Sequence, residues 1–259
     1  MQDRVIALEG VENFRDYGGY AGAGGLKIQT GRLLRSGHHA RASEADLGRF
    51  QALGVGAIVD LRRAAERHEQ PSRRYPGFSG LVIESADTEL VEAPHVTFLK
   101  TTDLTEASAR GFMLDTYRAM PFDARHLDLF SRYFRTLAKG DGAVLIHCAA
   151  GKDRTGLLAA LTHHALGVGE DDRMADYLLT NQAVRLAERA PEVGRRIAEL
   201  YGRTPSDAAV IAFLGVEPAF LHTAWSEIID HYGSVDAYLE QALGVDAATR
   251  EKIAVRLLA

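Results

Sequence analysis

The stretch Ile146-His147-Cys148-Ala149-Ala150-Gly151-Lys152-Asp153-Arg154-Thr155-Gly156 decides how this chain is read. The apolar run Ala143-Val144-Leu145-Ile146 before it predicts a short buried strand. Leu157-Leu158-Ala159-Ala160-Leu161 after it predicts a buried helix ending near Gly167. The stretch is therefore a strand-to-helix turn. A helix N-terminus carries unpaired backbone N–H groups and partial positive charge, so such a turn suits an anion. Cys148 stands where that field favours a thiolate. Arg154 can fold back and grip two anion oxygens as a planar fork. Gly151 and Gly156 permit bends and close approach that a side chain would block.

His-Cys, five residues, Arg, Thr is the spacing of a cysteine-dependent phosphatase loop. In that reading the backbone N–H groups of Ala149, Ala150, Gly151, Lys152, Asp153 and Arg154 hold phosphoryl oxygens, stabilising charge as it develops. Thr155 donates a hydrogen bond to the sulfur, which helps the thiolate leave a phosphocysteine. His147 hydrogen-bonds to the loop backbone and tunes the thiol. The competing reading is a buried structural cysteine beside a chance arginine. The flanks, both glycines, the Arg154-Thr155 pair and the strand–helix context together weigh against it.

Composition narrows the function classes. A chain of 259 residues holds one large α/β domain or two small ones. The formal charge of −5, with no strongly basic block, argues against nucleic acid as a partner. No apolar run approaches the ~18 residues of a membrane span, so no integral membrane segment is expected. Met1-Gln2-Asp3-Arg4-Val5 has no apolar signal region, which predicts a cytoplasmic protein. The single cysteine excludes an intramolecular disulfide and a multi-cysteine metal site. His38-His39 and His163-His164 are adjacent pairs that do not share a helix face, so no metal or other cofactor is expected.

Taken in order, the chain predicts a hairpin from Leu26–Gln29 and Arg32–Arg35 around Thr30-Gly31. Arg15 and Arg35 are candidates to face the phosphate, with a structural ion pair as the alternative for each. Ser43 caps a helix with Leu47, Phe50 and Leu53 on one face, and Val55–Val59 is a buried strand ending in Asp60-Leu61-Arg62. Functional groups gather at such carboxyl ends in open α/β sheets. Residues 62–76 read as loop, Leu81–Ile83 as a strand, and 84–105 as a long loop whose Asp87 and Asp103, with Glu106 beyond, are candidate movable acids. Helices follow at 106–119 and 122–138, then at 170–188, 191–201, 205–213, 217–231, 233–243 and 246–258, with Thr204-Pro205 as a cap. The expected fold is α/β: a central, mostly parallel sheet flanked by helices, with a helix-rich C-terminal half, in one domain over 1–259.

Short motifs spread along the chain add a resemblance. They are Asn13-Phe14-Arg15-Asp16, Arg35-Ser36, Asp60-Leu61-Arg62, the stretch from His147 to Gly156, Asp176-Tyr177-Leu178-Leu179-Thr180-Asn181, and Tyr232-Gly233-Ser234-Val235-Asp236-Ala237-Tyr238-Leu239. In this order they resemble the atypical bacterial tyrosine or dual-specificity phosphatases, the group of mycobacterial protein tyrosine phosphatase B. The resemblance implies a cysteine-phosphatase-like fold, no metal requirement and activity on phosphotyrosine, with phosphoserine, phosphothreonine and phosphoinositides as further substrates. It also implies a helical lid, for which residues 181–215 are the segment, with ordinary packing helices as the alternative.

The leaving oxygen needs a proton donor. No Trp-Pro-Asp loop supplies one, because the only tryptophan, Trp225, precedes Ser226. Asp153 is the first candidate, which the resemblance also supports. Asp60 is the second, with orientation of the loop as its alternative role. Lys152 adds a cation beside Arg154, either for a second phosphate or to strengthen monophosphate binding. The partner expected is a phosphorylated protein or a phosphoinositide. A rhodanese-like sulfurtransferase also places cysteine in an anion loop, but the His147 flank and the Arg154-Thr155 pair disfavour it. A non-catalytic phosphate-binding module is disfavoured by the intact Cys148 and Arg154.

Overall fold

A computed structural model describes residues 4–259; Met1-Gln2-Asp3, the start of the N-terminal stretch read above, lies outside them. The elements in chain order are β1 (Arg15–Asp16), β2 (Leu33–Ser36), α1 (Glu44–Ala52), β3 (Val55–Asp60), α2 (Ala64–Glu69), β4 (Leu81–Glu84), α3 (Pro94–Thr101), α4 (Glu106–Ala119) and α5 (Ala124–Lys139). They continue with β5 (Ala143–His147), α6 (Asp153–Ala165), α7 (Glu170–Ala183), α8 (Leu186–Tyr201), α9 (Asp207–Leu214), α10 (Pro218–Tyr232), α11 (Val235–Gln241) and α12 (Ala247–Leu257).

The strands form one sheet in the order β1-β2-β5-β3-β4. Only the β1–β2 pairing is antiparallel; β2–β5, β5–β3 and β3–β4 are parallel. The mostly parallel α/β architecture expected from the sequence is therefore what forms. β5 lies at the centre because it is apolar on both faces. Its Val144 and Ile146 enter the core shared with α5, α6 and the C-terminal helices, and Ala143 and Leu145 enter the core shared with α1. Register sets Ser36 and Asp60 level with His147, so three strands end side by side under Cys148.

Local chemistry explains the helices the sequence predicts. Ser43 and Asp46 form a capping box at the start of α1. In α5, His126, Leu129, Phe130, Tyr133, Phe134 and Leu137 are buried at helical spacing, and Asp123 caps the first turn. The helix α6 is buried on nearly every side from Thr155 to His163, as suits a helix sandwiched between sheet and other helices.

Several expectations are corrected. Leu26–Gln29 forms no hairpin with β2: its backbone instead bonds to the chain end, Lys27 N–H to Ala259 O at 2.9 Å and Gln29 N–H to Leu257 O at 2.7 Å. Residues 62–76 contain α2, and residues 84–105 contain α3, which packs Phe98 and Leu99 against α8 and α9 residues. The helix expected at 170–188 ends at Ala183, because the chain reverses at Arg185 with φ of 49°. Pro191 consequently lies inside α8 rather than at a start. Ser206, not Thr204, caps α9.

Arg15 and Arg35 do not face the phosphate position. Both are wholly buried and share one carboxylate: Arg15 Nε lies 3.2 Å from Asp176 Oδ1, and Arg35 Nη1 lies 2.6 Å from Asp176 Oδ2. The structural ion pair, left open above as the alternative, is the arrangement observed. Burial would protonate Asp176, but the two guanidiniums hold it well below the usual carboxylate range. Removing one member of a buried ion pair strands the others without solvent, at about 3–5 kcal/mol. Asp176→Ala is therefore expected to lower thermal stability sharply. A melting temperature within a degree or two of the parent would show that the cluster is not a structural pivot.

Candidate active site

Cys148 follows β5 directly and is nearly inaccessible, at 2% exposure. The chain turns through Ala149, Ala150, Gly151 and Lys152 into α6, which begins at Asp153. Gly151 has φ of 66°, and a Cβ there would lie 2.3 Å from Ser36 O, so only glycine fits. Asn13 Nδ2 donates to Ala150 O at 3.0 Å and to Gly151 O at 2.8 Å, and Arg35 Nη2 donates to Gly151 O at 3.0 Å. The loop carbonyls are thus drawn backward, away from the anion position. Among the described residues, no protein acceptor takes the backbone N–H groups of residues 149–154. Peptide donors facing one way with no carbonyl among them make an anion cradle.

Arg154 is held as a fork. Its Nη1 and Nη2 lie 2.6 and 2.8 Å from the two carboxylate oxygens of Glu66, and Nη1 also reaches Leu61 O at 3.3 Å. Burial alone would discharge the guanidinium, but Glu66 more than offsets it and raises the Arg154 value. Burial likewise works against the Glu66 carboxylate, yet Arg154 pulls it down to about 2. Glu66 was invisible in the sequence because residues 62–76 read as loop. In the structure it is the N-terminal acid of α2 and also accepts from Arg63 N–H at 2.8 Å.

Asp60 is corrected as a candidate acid. Its carboxylate takes Arg62 Nε at 2.9 Å, Arg62 Nη2 at 2.6 Å and the Arg62 backbone N–H at 3.1 Å. His147 Nε2 lies 3.6 Å from it. Although burial raises it, His147 and Arg62 outweigh that and leave it ionised, far below the usual range. A carboxylate so saturated braces the strand ends and has no proton to give. His147 Nδ1 lies 3.4 Å from Cys148 O, the backbone contact expected of it, and burial pushes its value down to about 4. The His39 ring lies against it, tilted by 36°, with ring centroids 4.2 Å apart.

Asp153 keeps about a quarter of its side chain exposed, with Tyr117 OH donating to its Oδ1 at 2.9 Å. Lys152 is not free beside Arg154. Its Nζ donates to Phe213 O at 2.6 Å in α9 and lies 3.5 Å from Asp153 Oδ1. Thr155 Oγ1 is buried with no hydrogen-bond partner among the described residues. Asp87 and Asp103 are exposed: Asp87 accepts from Glu89 N–H within its own turn and Asp103 from Thr105. Glu106 is an exposed residue of the first turn of α4. A cavity of about 420 Å³ reaches the loop at Ala149, between α2 and α3, with Arg62, Glu66, Glu92 and His95 in its wall. His95 stands in the field of Glu66, Arg154, Asp153 and Lys152, and burial lowers it below the usual histidine range. No motif pointed to it, because α3 read as loop.

A family model described as the tyrosine phosphatase family matches residues 6–259. The chain belongs to the tyrosine phosphatase family. This phosphatase is 37% identical over 246 residues to a protein of Cupriavidus necator named as a tyrosine-protein phosphatase, covering 94% of this chain and 85% of that one. It is 32% identical over 280 residues to the triple specificity protein phosphatase PtpB of Mycobacterium tuberculosis, covering 95% and 96%. A tyrosine-protein phosphatase of Nostoc commune is 27% identical over 235 residues, covering 89% and 75%.

Two outcomes follow for this phosphatase. Glu66→Gln leaves Arg154 half-held, and a hydrogen bond to a charged group is worth about 1.5–3 kcal/mol. kcat/KM should fall by roughly 10–100-fold, equally for good and poor leaving groups; a change under two-fold in an aryl phosphate assay would show that Glu66 is not needed to hold the fork. Stability should also fall with acidification. His147 and His126 have folded values of about 4 and about 3 against 6.5, so below pH 6.5 the unfolded chain takes up protons that the folded chain refuses. Asp60, Glu66 and Asp176 are depressed, so their contribution is present above the unfolded values of 3.8 and 4.5 and is lost below them. Melting temperature should be level near neutrality, decline from about pH 6.5, and drop more steeply below about 4.5; a level profile down to pH 4 would contradict this.

Proposed function

We propose that this chain hydrolyses phosphotyrosine in proteins through a phosphocysteine intermediate. Cys148 thiolate attacks phosphorus, and the backbone donors of residues 149–154 with Arg154 hold the non-bridging oxygens. Asp153 protonates the leaving phenolate, and water then releases phosphate from sulfur. The observation that carries this reading is the pairing of Cys148, at the foot of an acceptor-free ring of backbone N–H groups, with an Arg154 fork pre-set by Glu66. The unpartnered hydroxyl of buried Thr155 is suited to donate to the departing sulfur. With Asp60 saturated, Asp153 is a carboxylate of the loop–helix turn itself that keeps solvent exposure and, among the described residues, an oxygen with no hydrogen bond.

The triple specificity named for the mycobacterial relative supports breadth beyond phosphotyrosine, toward phosphoserine, phosphothreonine and phosphoinositides. We propose α8 and α9, within residues 181–215, as the lid; the Lys152–Phe213 bond that ties α9 to the loop supports this reading. A second phosphate could use Lys152 only after that bond opens. Phosphotyrosine, which needs one phosphate clamp, is therefore the better substrate of the closed form.

Cys148→Ser and Arg154→Ala should abolish turnover, while Cys148→Ser still binds inorganic phosphate by calorimetry. Turnover by Cys148→Ser would reject the mechanism. Asp153→Asn should lower kcat by roughly 10²–10⁴, with the loss shrinking as the leaving group becomes more acidic. A uniform loss across leaving groups would give Asp153 a structural role instead.

A further inference from the structure

Asp153 is held from behind by two phenols in series. Tyr177 OH donates to Tyr117 OH at 2.7 Å, and Tyr117 OH donates to Asp153 Oδ1 at 2.9 Å. The phenols come from separate helices, Tyr117 from α4 and Tyr177 from α7, and both are wholly buried. Tyr117 is pinned by a stacked contact with Phe220, ring centroids 5.6 Å apart, and an edge contact with Tyr177 at 6.4 Å. Tyr177 can come this close because residue 156 is glycine; a Cβ there would lie 3.1 Å from its ring carbons. Burial raises both phenols far above the usual tyrosine range, with the Asp153 charge adding to the effect, so both remain neutral donors.

This chain assigns the two oxygens of Asp153 different jobs. Lys152 Nζ, at 3.5 Å, also faces Oδ1, while Oδ2 takes no hydrogen bond among the described residues. A phenol O–H has one proton. If Tyr117 accepts from Tyr177, its own proton goes to Asp153. The oxygen receiving that proton is best as the carbonyl oxygen of the acid, which leaves the acidic hydrogen on Oδ2. We infer that Tyr117, backed by Tyr177, is the positioning residue that keeps the transferable proton of Asp153 on Oδ2 and stabilises the carboxylate left after transfer; this rests on the reading of Asp153 as the acid. In the step itself the Oδ2–H bond breaks and its proton passes to the leaving oxygen as P–O breaks and S–P forms. The negative charge remaining on Asp153 is met at Oδ1 by the Tyr117 donor. In the second step the carboxylate takes a proton from the attacking water as its oxygen bonds to phosphorus and the S–P bond breaks, releasing phosphate and the Cys148 thiolate and restoring the acid.

The test compares aryl phosphates from phenyl phosphate, a poor leaving group, to 4-nitrophenyl phosphate, a good one, for the parent, Tyr117→Phe, Tyr177→Phe, Asp153→Asn and Tyr117→Phe/Asp153→Asn. Tyr117→Phe removes one hydroxyl and keeps the ring. It should lower kcat on phenyl phosphate about ten-fold or more, the worth of a hydrogen bond to a charged group, with KM little changed. The loss should be clearly smaller on 4-nitrophenyl phosphate, and Tyr177→Phe should show the same slope more weakly. In the Asp153→Asn background Tyr117→Phe should cost little more, because the two act as one unit. An equal loss on every leaving group, or a full multiplicative loss in the double variant, overturns the inference. Asp153→Asn reports separately on the acid: a leaving-group slope there, with none in Tyr117→Phe, removes the positioning role and leaves the acid in place. If Tyr117→Phe melts too early to assay, the Tyr177→Phe slope decides, and its absence also overturns the inference.

Discussion

Arg15 and Arg35 share one carboxylate, Asp176, where none of the three side chains reaches water. Three formal charges leave one net positive charge behind the loop. Burying them carries a large desolvation penalty, which only dense hydrogen bonding offsets. That bonding is present: Arg15 Nη2 reaches Asp176 O at 2.9 Å and Thr180 Oγ1 at 3.2 Å, and Arg15 Nη1 meets the side chain of Asn13. Asn13 and Arg35 then seize the carbonyls of Ala150 and Gly151. With those carbonyls turned back, the loop N–H groups must face the other way. The cradle's polarity is thus imposed from behind, through β1, β2 and α7.

The front of the site is built by polar groups from several helices. Glu66 of α2 orients Arg154, and Tyr117 of α4 holds Asp153. Phe213 O of α9 takes the Lys152 ammonium, and α3 brings His95 to the cavity wall. Of these, α3, α4 and α9 meet α8 in a small apolar cluster of Phe98, Leu99, Leu104, Ala109, Ile197 and Ala209, distinct from the two larger cores that flank the sheet. A small cluster has less apolar area to lose on opening than a main core, which suits the lid role proposed for α8 and α9. The cradle, anchored to the central strand and to Asp176, belongs to the part that must stay rigid.

Much of this was legible locally. β3 and β5 are apolar runs bounded by turn residues, the capping residues of α1 announce its start, and the period in α5 names its inward face. Cys148, the proposed nucleophile, Arg154 and both loop glycines lie within nine consecutive residues, so spacing alone brought them together. The helices α2 and α3 were not legible. They have six and eight residues, too short to hold in isolation, and tertiary partners such as Arg154 and the α8–α9 face stabilise them. Arg15 and Arg35 read as candidates for the phosphate or for an ion pair, and nothing local chose between the two or marked Asp176 as their buried partner.

The sequence by itself determined that a strand would run into a helix through an anion-binding turn carrying one cysteine and one arginine, within a mostly parallel α/β sheet. Those features depend on hydrophobic period, glycine freedom and residue spacing, all carried by contiguous residues. Only the tertiary structure decided which carboxylates are saturated by arginine, which arginines are buried in ion pairs, and where Lys152 is held. Apart from the local pairing of Asp60 with Arg62, these depend on a partner far along the chain: Asp176 lies 161 residues from Arg15 and 141 from Arg35, Glu66 88 from Arg154, and Phe213 61 from Lys152. Charge roles follow from burial and pairing, and those exist only once distant segments have packed together.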